Sequence, residues 1–318
     1  MTNSQSIKSA LASATVLLKT EEATLEAQLL LQQVLNVNRA WLISHQNYAL
    51  QPNIHAVFEA LLKRRLNGEP IAYILGVREF YGLKLKVTPD TLIPRPDTET
   101  LVEAALEKIP SHPSFPRKRE SMLNLYQKAD SRFRGSDEPK NFAVENNSFC
   151  ILDLGAGTGA IALAIAKHRP QAQITALDAS QAALNIAIEN AQNLNIPNVK
   201  FILSDWFSNL KTNSENEKFD VIASNPPYIE DSDLHLQQGD LRFEPLSALA
   251  SGAEGLDAIR HIIKDAPSHL NPHGWLMLEH GYNQASKVAA LLEQTGFSDI
   301  SHAKDLSGIE RVTIGRLA

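Results

Sequence analysis

Along the first quarter of the chain, apolar residues recur at helical spacing, as in Leu25, Leu29, Leu30, Val34 and Leu35 and again in Val57, Leu61 and Leu62. That 3.6-residue period predicts amphipathic helices, and residues 1–77 are expected to form a small helical bundle. At Phe80 the period shortens: Phe80, Leu83, Leu85 and Val87 predict short strands and a β-hairpin linker over 78–96. A helix is expected to open near Asp97, with Asp97 or Thr98 as its cap and Glu99 favouring its positive end. From Phe149 onward apolar strands alternate with helical stretches: CILDL, ITALD, FILSD, FDVIAS and WLMLEH are each followed by a helix or loop. Such alternation is the mark of a doubly wound parallel sheet. FSDISHAKD and RVTIGR lie close together and alternate, which predicts an antiparallel pair at one edge. The expected fold class is α/β: a seven-stranded doubly wound sheet within 97–318, joined by the β-hairpin to the helical bundle.

Residues 111–148 fit neither pattern, being polar and without periodicity, and a structureless connection of that length is unusual inside a domain. Ser-Phe-Pro-Arg-Lys-Arg-Glu-Ser (114–121) can be encoded by bases whose reverse complement, in a shifted frame, reads Asp-Ser-Arg-Phe-Arg-Gly, which recurs at 130–135. The segment is therefore read as a translated inverted repeat in a tolerant surface loop and expected to be a disordered insertion. The rival reading is a basic docking loop built on Arg117, Lys118, Arg119, Arg132 and Arg134.

A content of 43% hydrophobic residues over 318 positions supports substantial cores. A single cysteine and the lack of a secretory leader point to the cytoplasm, and no apolar run approaches the ~20 residues that span a bilayer. A net charge of -6 argues against tracking along nucleic acid. The histidines show no metal-ligand spacing, so no metal is expected.

The chemistry gathers at the ends of the expected strands. Asp153-Leu-Gly155-Ala-Gly157-Thr-Gly159 follows the first strand of the sheet and opens a helix, placing glycines where the backbone turns tightly and a ligand comes close. Asp178 ends the second strand, 19 residues after Gly159, where a carboxylate can accept from two ribose hydroxyls. Asp205 and Trp206 end the third, an acid for an adenine amino group and an aromatic for the base face. The third glycine comes one residue sooner than in dinucleotide-binding loops, and this spacing resembles class I S-adenosylmethionine-dependent methyltransferases. The resemblance implies S-adenosyl-L-methionine as cofactor, with Gly155, Gly157 and Gly159 beside its methionine portion, Asp178 on its ribose and Asp205 and Trp206 around its adenine.

Asn225-Pro226-Pro227-Tyr228 follows the fourth strand at the same edge. This motif resembles the site of methyltransferases that modify a planar NH2 group, on adenine or on a glutamine amide. The side-chain oxygen of Asn225 and the main-chain carbonyl of Pro226 could accept from the two N–H bonds of that group, held stiff by the prolines, with the Tyr228 ring packed on its plane. Asn225, Pro226 and Tyr228 are accordingly the expected catalytic residues, Asn225 also bordering the cofactor, and Pro227 joins them in binding substrate.

GEPIAYILGVREFYGL, LIPRPDTETLVE, NPPYIE, EPLSALASGAEGLDAIRHI, LEHGYNQ and DLSGIERVTIGR together closely resemble the release factor glutamine methyltransferase (PrmC/HemK) family over the whole chain except 111–148. The resemblance implies methylation of the glutamine in the Gly-Gly-Gln motif of class 1 peptide chain release factors, with the helical domain gripping the factor and the methyltransferase domain spanning 97–318. It also implies that Arg95, Pro96 and Thr98 lie near the cofactor and substrate pocket, and Glu244 and Pro245 near the substrate loop, so that Arg95 and Glu244 join the substrate-binding set. A monomer without direct nucleic-acid or membrane contact is expected. Three alternatives stay open: a ribosomal protein glutamine methyltransferase, an adenine-N6 DNA or RNA methyltransferase, and a protein-binding module without catalysis.

Overall fold

The computed structural model describes residues 5–110, 149–210 and 218–318. Five helices come first: α1 (Ile7–Leu18), α2 (Ala23–Leu35), α3 (Arg39–Ser44), α4 (Pro52–Leu66) and α5 (Ile71–Leu75). Ser6 and Asn38 open α1 and α3 by accepting the backbone N–H three residues on, at 3.3 and 2.9 Å, which satisfies donors that a helix start leaves unpaired. These helices enclose a core of their own, with Ile7, Leu30, Leu31, Leu42, Phe58 and Leu62 at its centre. The buried face of α2 carries Ala23, Glu26, Ala27, Leu30 and Leu31, whereas Leu25 and Val57 are exposed. The stripe predicted from leucines and valines alone is thus turned by about one position, because small alanines and a paired acid can face a core as well as leucine does.

A hairpin follows, β1 (Val77–Phe80) antiparallel to β2 (Leu83–Lys86). After a 3-10 turn over Pro96–Thr98 comes α6 (Glu99–Lys108). The expected cap does not form. Thr98 stands at the N-cap position, yet its side chain makes no capping bond, since its hydroxyl is taken by a residue 127 positions away.

The rest alternates: β3 (Cys150–Leu154), α7 (Ala160–His168), β4 (Gln173–Asp178), α8 (Gln181–Asn193), β5 (Val199–Leu203), β6 (Phe219–Ser224), α9 (Asp257–His269), β7 (Leu270–Glu279), α10 (Ala285–Gln294), β8 (Phe297–Lys304) and β9 (Glu310–Leu317). They build one seven-stranded sheet in the order β5-β4-β3-β6-β7-β9-β8. Strands β3 to β7 are mutually parallel, while β9 runs antiparallel to both β7 and β8. Side chains alternate between the two faces: Ile151, Val221 and Met277 join α6 and α7 in one core, whereas Leu152, Ile222 and Leu276 join α9 and α10 in the other. Strand order reverses between β3 and β6. That switch point, at the carboxyl ends of the strands, is where open α/β sheets bind ligands.

Two seams hold the hairpin and helices to the sheet. Asn190 of α8 accepts from Lys86 N at 2.7 Å and donates to the carbonyls of Lys86 and Thr158, both at 3.0 Å, tying β2 to the glycine loop. Arg65 of α4 forks onto Glu26 at 2.8 and 3.1 Å and reaches Asp240 at 2.9 Å, while Arg242 donates to Asn67 O at 2.9 Å. The 111–148 insertion reading lies outside the described residues. No described helix is long and apolar enough to cross a membrane, and no described group of three His, Cys, Asp or Glu could hold a metal ion.

Candidate active site

A cavity of about 400 Å³ opens at the switch point. It is walled by the turns after four successive strands: Gly155 and Gly157 after β3, Asp178 and Ser180 at β4, Asp205 and Trp206 after β5, and Asn225, Pro226 and Pro227 after β6. Two further segments complete it: Asp90–Leu92 beyond the hairpin, which the sequence did not single out, and Ser247 and Ala248 beside Pro245, the residue expected near the substrate loop.

The glycine loop is shaped by its backbone. Gly155 and Gly157 have φ of 76° and 55°, a left-handed region that disfavours a Cβ, and a Cβ on either would point into open space. Gly155 N and Ala156 N both donate to Leu177 O, at 2.9 and 2.8 Å, which folds the loop back over β4. Gly159 serves differently. It caps α7, and a Cβ there would press on Leu163 and Ala187 at 3.1 and 3.2 Å, so it allows α7 and α8 to approach rather than lining the cavity.

Asp178 accepts from Gly157 N and Ser180 N, each at 2.8 Å. Burial raises its pKa, opposed by the N–H groups of Ser180, Gly157 and Ala179. A carboxylate has about four acceptor sites, so two backbone bonds leave room for a ligand. Beneath it, Asp153 is wholly buried. Its Oδ2 accepts from Ala162 N at 3.0 Å and Oδ1 has no partner among the described residues, and burial pushes its pKa up to about 7. Trp206 takes a left-handed φ of 47°, unusual for a bulky side chain. The Ser204 hydroxyl holds that turn by donating to Trp206 O at 2.7 Å while accepting from Asn209 N at 3.0 Å.

At Asn225–Tyr228 the strand stops and its acceptors are released. No hydrogen bond from a described residue reaches Pro226 O or Asn225 Oδ1. Asn225 Nδ2 donates to Thr98 Oγ1 at 3.0 Å. Tyr228 lies behind the cavity wall, its ring against the α9 core and its hydroxyl donating to Glu279 Oε1 over a long 3.4 Å. Burial, with the nearby Glu279 charge, raises the pKa of that phenol. Glu279 ends β7 and is 1% exposed, and among the described residues its Oε2 has no hydrogen-bond partner. Burial pushes its carboxyl up to about 7, the Thr98 hydroxyl pulling the other way. Arg95 and Glu244 pair with each other, and Glu244 Oε2 also accepts from Ile93 N at 3.1 Å. They link the segment after Leu92 to the segment before Pro245, without themselves lining the cavity. Glu279, Asn190 and Gln284 went unrecognised in the sequence. Only the position of Glu279 at the end of an apolar run offered a signal.

Comparison with known proteins agrees with this geometry. Residues 146–308 match the family described as Methyltransferase domain, and residues 8–76 the PrmC N-terminal domain. A release factor glutamine methyltransferase of Xylella fastidiosa (strain Temecula1) is 43% identical over 92% of this chain and 92% of its own. That of Vibrio cholerae is 42% identical over 98% and 97%. Among solved structures, the hMettl16 catalytic domain in complex with MAT2A 3'UTR hairpin 6 superposes with a TM-score of 0.50 at 13% identity, covering 81% of this chain and 82% of that one, a likeness of fold alone. On the strength of the full-length matches, this chain belongs to the release factor glutamine methyltransferase family.

Proposed function

We propose that the protein methylates the side-chain amide nitrogen of the glutamine in the Gly-Gly-Gln motif of class 1 peptide chain release factors. The observation that carries this reading is the pair of unengaged acceptors, Asn225 Oδ1 and Pro226 O, on the wall shared with Gly155, Gly157 and Asp178.

The residues present fit S-adenosyl-L-methionine. Glycines without Cβ crowding cradle one end of the cavity, three carboxylates, Asp90, Asp178 and Asp205, suit a ligand carrying ammonium and sulfonium charge, and Leu177, Ala183 and Trp206 offer apolar surface for a base. In this reading Gly155 and Gly157 hold the methionine portion, Asp178 the ribose hydroxyls, and Asp205 and Trp206 the adenine. When bound, the cofactor supplies an electrophilic methyl group.

The chain's own task is to present a poor nucleophile well. An amide nitrogen shares its lone pair with the carbonyl, and two acceptors aimed at its two N–H bonds orient it and favour localisation of that pair. Because the acceptors sit on a Pro-Pro turn at the end of a rigid strand, little motion is lost when the substrate enters. Methylation by the bound cofactor would leave the nitrogen acidic, and its surplus proton would pass to water, so the chain needs to supply no strong base beforehand. Burial of Tyr228 behind the turn makes its ring a support for this geometry.

The helical unit, residues 1–77, is read as a grip on the release factor. Its Arg65–Asp240 and Asn67–Arg242 links tie it to the segment running into the Pro245 wall, so a protein held by the helices lies beside the cavity. The 78–96 stretch is the linker and 97–318 the methyltransferase domain. We further infer a cytoplasmic monomer without direct nucleic-acid or membrane contact. The test is transfer of labelled methyl to purified release factor, to the same factor with its loop glutamine replaced by alanine, to ribosomal protein and to DNA. Label on the intact factor alone is expected; label on DNA or ribosomal protein instead overturns the reading.

A further inference from the structure

Resting on the methyl-transfer reading above, we infer that Asp240, Arg242 and Glu244 are positioning residues: through them the helical unit acts as the template for the substrate-side wall of the cavity, beyond its part as a grip.

That wall belongs to a long loop. Beyond Tyr228 the chain closes a neck, in which Ile229 N donates to Leu249 O and Ser251 N to Ile229 O, both at 2.9 Å, and Asp231 N to Gly252 O at 3.0 Å. The loop therefore leaves and returns at one place, directly after the Asn-Pro-Pro-Tyr turn. Its residues Pro245, Ser247 and Ala248 line the cavity. Yet it has no core of its own. Its three 3-10 turns bury nothing, and among the described residues 231–248 Glu244 alone is buried. Single turns with few buried apolar contacts and water-exposed backbone bonds open easily, so the shape of this loop must come from elsewhere.

It comes from side chains on alternate positions, set like the teeth of a comb. Asp240 Oδ1 accepts from Arg65 Nη1 of α4 at 2.9 Å, and Arg242 Nη2 donates to Asn67 O, just past α4, at 2.9 Å. Glu244 pairs with Arg95 and accepts from Ile93 N at 3.1 Å. The Arg242 guanidinium lies over Gly68, where a Cβ would collide with it. Between the last two teeth, the half-buried Phe243 ring packs against the cluster of Ala72, Tyr73, Val87 and Ile93. All of these partners lie between residues 65 and 95, in the helical unit and linker, and none in the sheet. Pro245 follows the last tooth directly, and Ala248 N donates to Pro245 O at 2.9 Å, so a shift of the comb carries the wall with it. A grip changes how tightly the substrate protein is held, whereas a template changes how well the bound glutamine is aligned, and the two divide between KM and kcat.

The experiment combines amide hydrogen exchange with steady-state kinetics at saturating cofactor on the full-length enzyme, with release factor as substrate. The variants are Asp240→Asn combined with Arg242→Met, and Glu244→Gln. Exchange at Phe243, Glu244 and Ala248 should quicken by about tenfold or more in the double variant, while the neck amides of Ile229 and Ser251 keep their protection. At saturating release factor kcat should fall about tenfold, the cost of imperfect alignment, whatever KM does. Asp240→Asn combined with Arg242→Lys, which keeps a cationic donor on a long stem, should recover part of that loss. Unchanged exchange in the loop overturns the template. A loosened loop with kcat intact overturns it too, because the helices are then a grip alone. Should Glu244→Gln not fold, the double variant decides, since exposed pairs of its kind contribute little to stability. Wild type that labels no release factor refutes the underlying reading and the kinetic role with it, whereas exchange still reports whether the comb holds the loop, so the two failures are distinct.

Discussion

The side-chain amide of Gln284, at the start of α10, donates to the backbone carbonyl of Tyr228 at 3.1 Å, from 56 residues along the chain. The same nitrogen lies 3.2 Å from Glu254 O and 3.3 Å from Gly255 O, while Gln284 Oε1 accepts from Gly281 N at 2.8 Å. One buried side chain thus fastens the end of the Asn-Pro-Pro-Tyr turn to two other loops. Gly255 lies against this junction with a φ of 65°, and a Cβ there would run into Tyr228 O.

Gln284→Ala leaves these carbonyls and Gly281 N without their partner in a buried site, at a cost of about 1–3 kcal/mol in unfolding free energy. It also frees the turn that carries the proposed substrate acceptors. We expect kcat to fall by about tenfold or more with cofactor affinity little changed, read by single-turnover kinetics beside calorimetric binding. A loss confined to cofactor affinity would mean that Gln284 supports the glycine-loop side of the cavity instead.

Asn225→Ala and Asp178→Ala should separate cleanly. Removing Asn225 deletes one of the two acceptors proposed for the reacting amide, and loss of one preorganised contact of this kind costs about 3 kcal/mol of transition-state stabilisation, roughly 100-fold in turnover. Cofactor binding should survive. Removing Asp178 deletes the carboxylate that organises Gly157 and Ser180, so cofactor affinity should fall first and turnover at saturating cofactor much less. Equal losses of affinity in both variants contradict this division of labour.

How much of this was legible in the letters follows from distance along the chain. The sheet was readable because strand alternation is local, and so were Gly155, Gly157, Asp178 and Asn225, since each lies within or just beyond the strand that positions it. The contacts that complete the site join residues 56, 127 and 149 positions apart: Gln284 with Tyr228, Asn225 with Thr98, and Arg95 with Glu244. No local pattern marks such pairs. Thr98 shows how a sound local rule is overridden: threonine at a helix start favours capping, but the half-buried Asn225 amide donates to its oxygen instead. Arg95 and Glu244, expected at the substrate by resemblance, pair with each other across that separation.

Asp153 should make stability depend on pH in a direction opposite to that of most carboxylates. Its ordinary value is 3.8, and burial raises it to about 7 in the folded chain. The folded protein therefore holds this proton when the unfolded chain has released it. The contribution is fully present below about pH 4 and is lost as pH rises to about 7, at about 1.4 kcal/mol per unit over that window. Relative to Asp153→Asn, wild type should lose unfolding free energy between pH 4 and 7 and run parallel above it, as followed by denaturant titration. Wild type gaining unfolding free energy relative to Asp153→Asn as pH rises would show the carboxyl to be depressed instead.

Arg65 provides a contrast between two ion pairs made by one guanidinium. Its partner Glu26 has a side chain only 10% exposed, whereas Asp240 is 43% exposed. Removing the arginine strands a buried carboxylate, which costs about 3–5 kcal/mol in comparable pairs, while an exposed pair contributes about 1 kcal/mol or less. Arg65→Ala should therefore destabilise the helical unit severely, and Asp240→Asn should scarcely change it. The double variant Arg65→Met with Glu26→Leu, which replaces the buried pair by apolar side chains, should recover most of the loss. Denaturant unfolding of the four proteins checks the order. If Asp240→Asn proved as damaging as Arg65→Ala, the weight of this seam would lie in the link between helices and sheet rather than within the helical core.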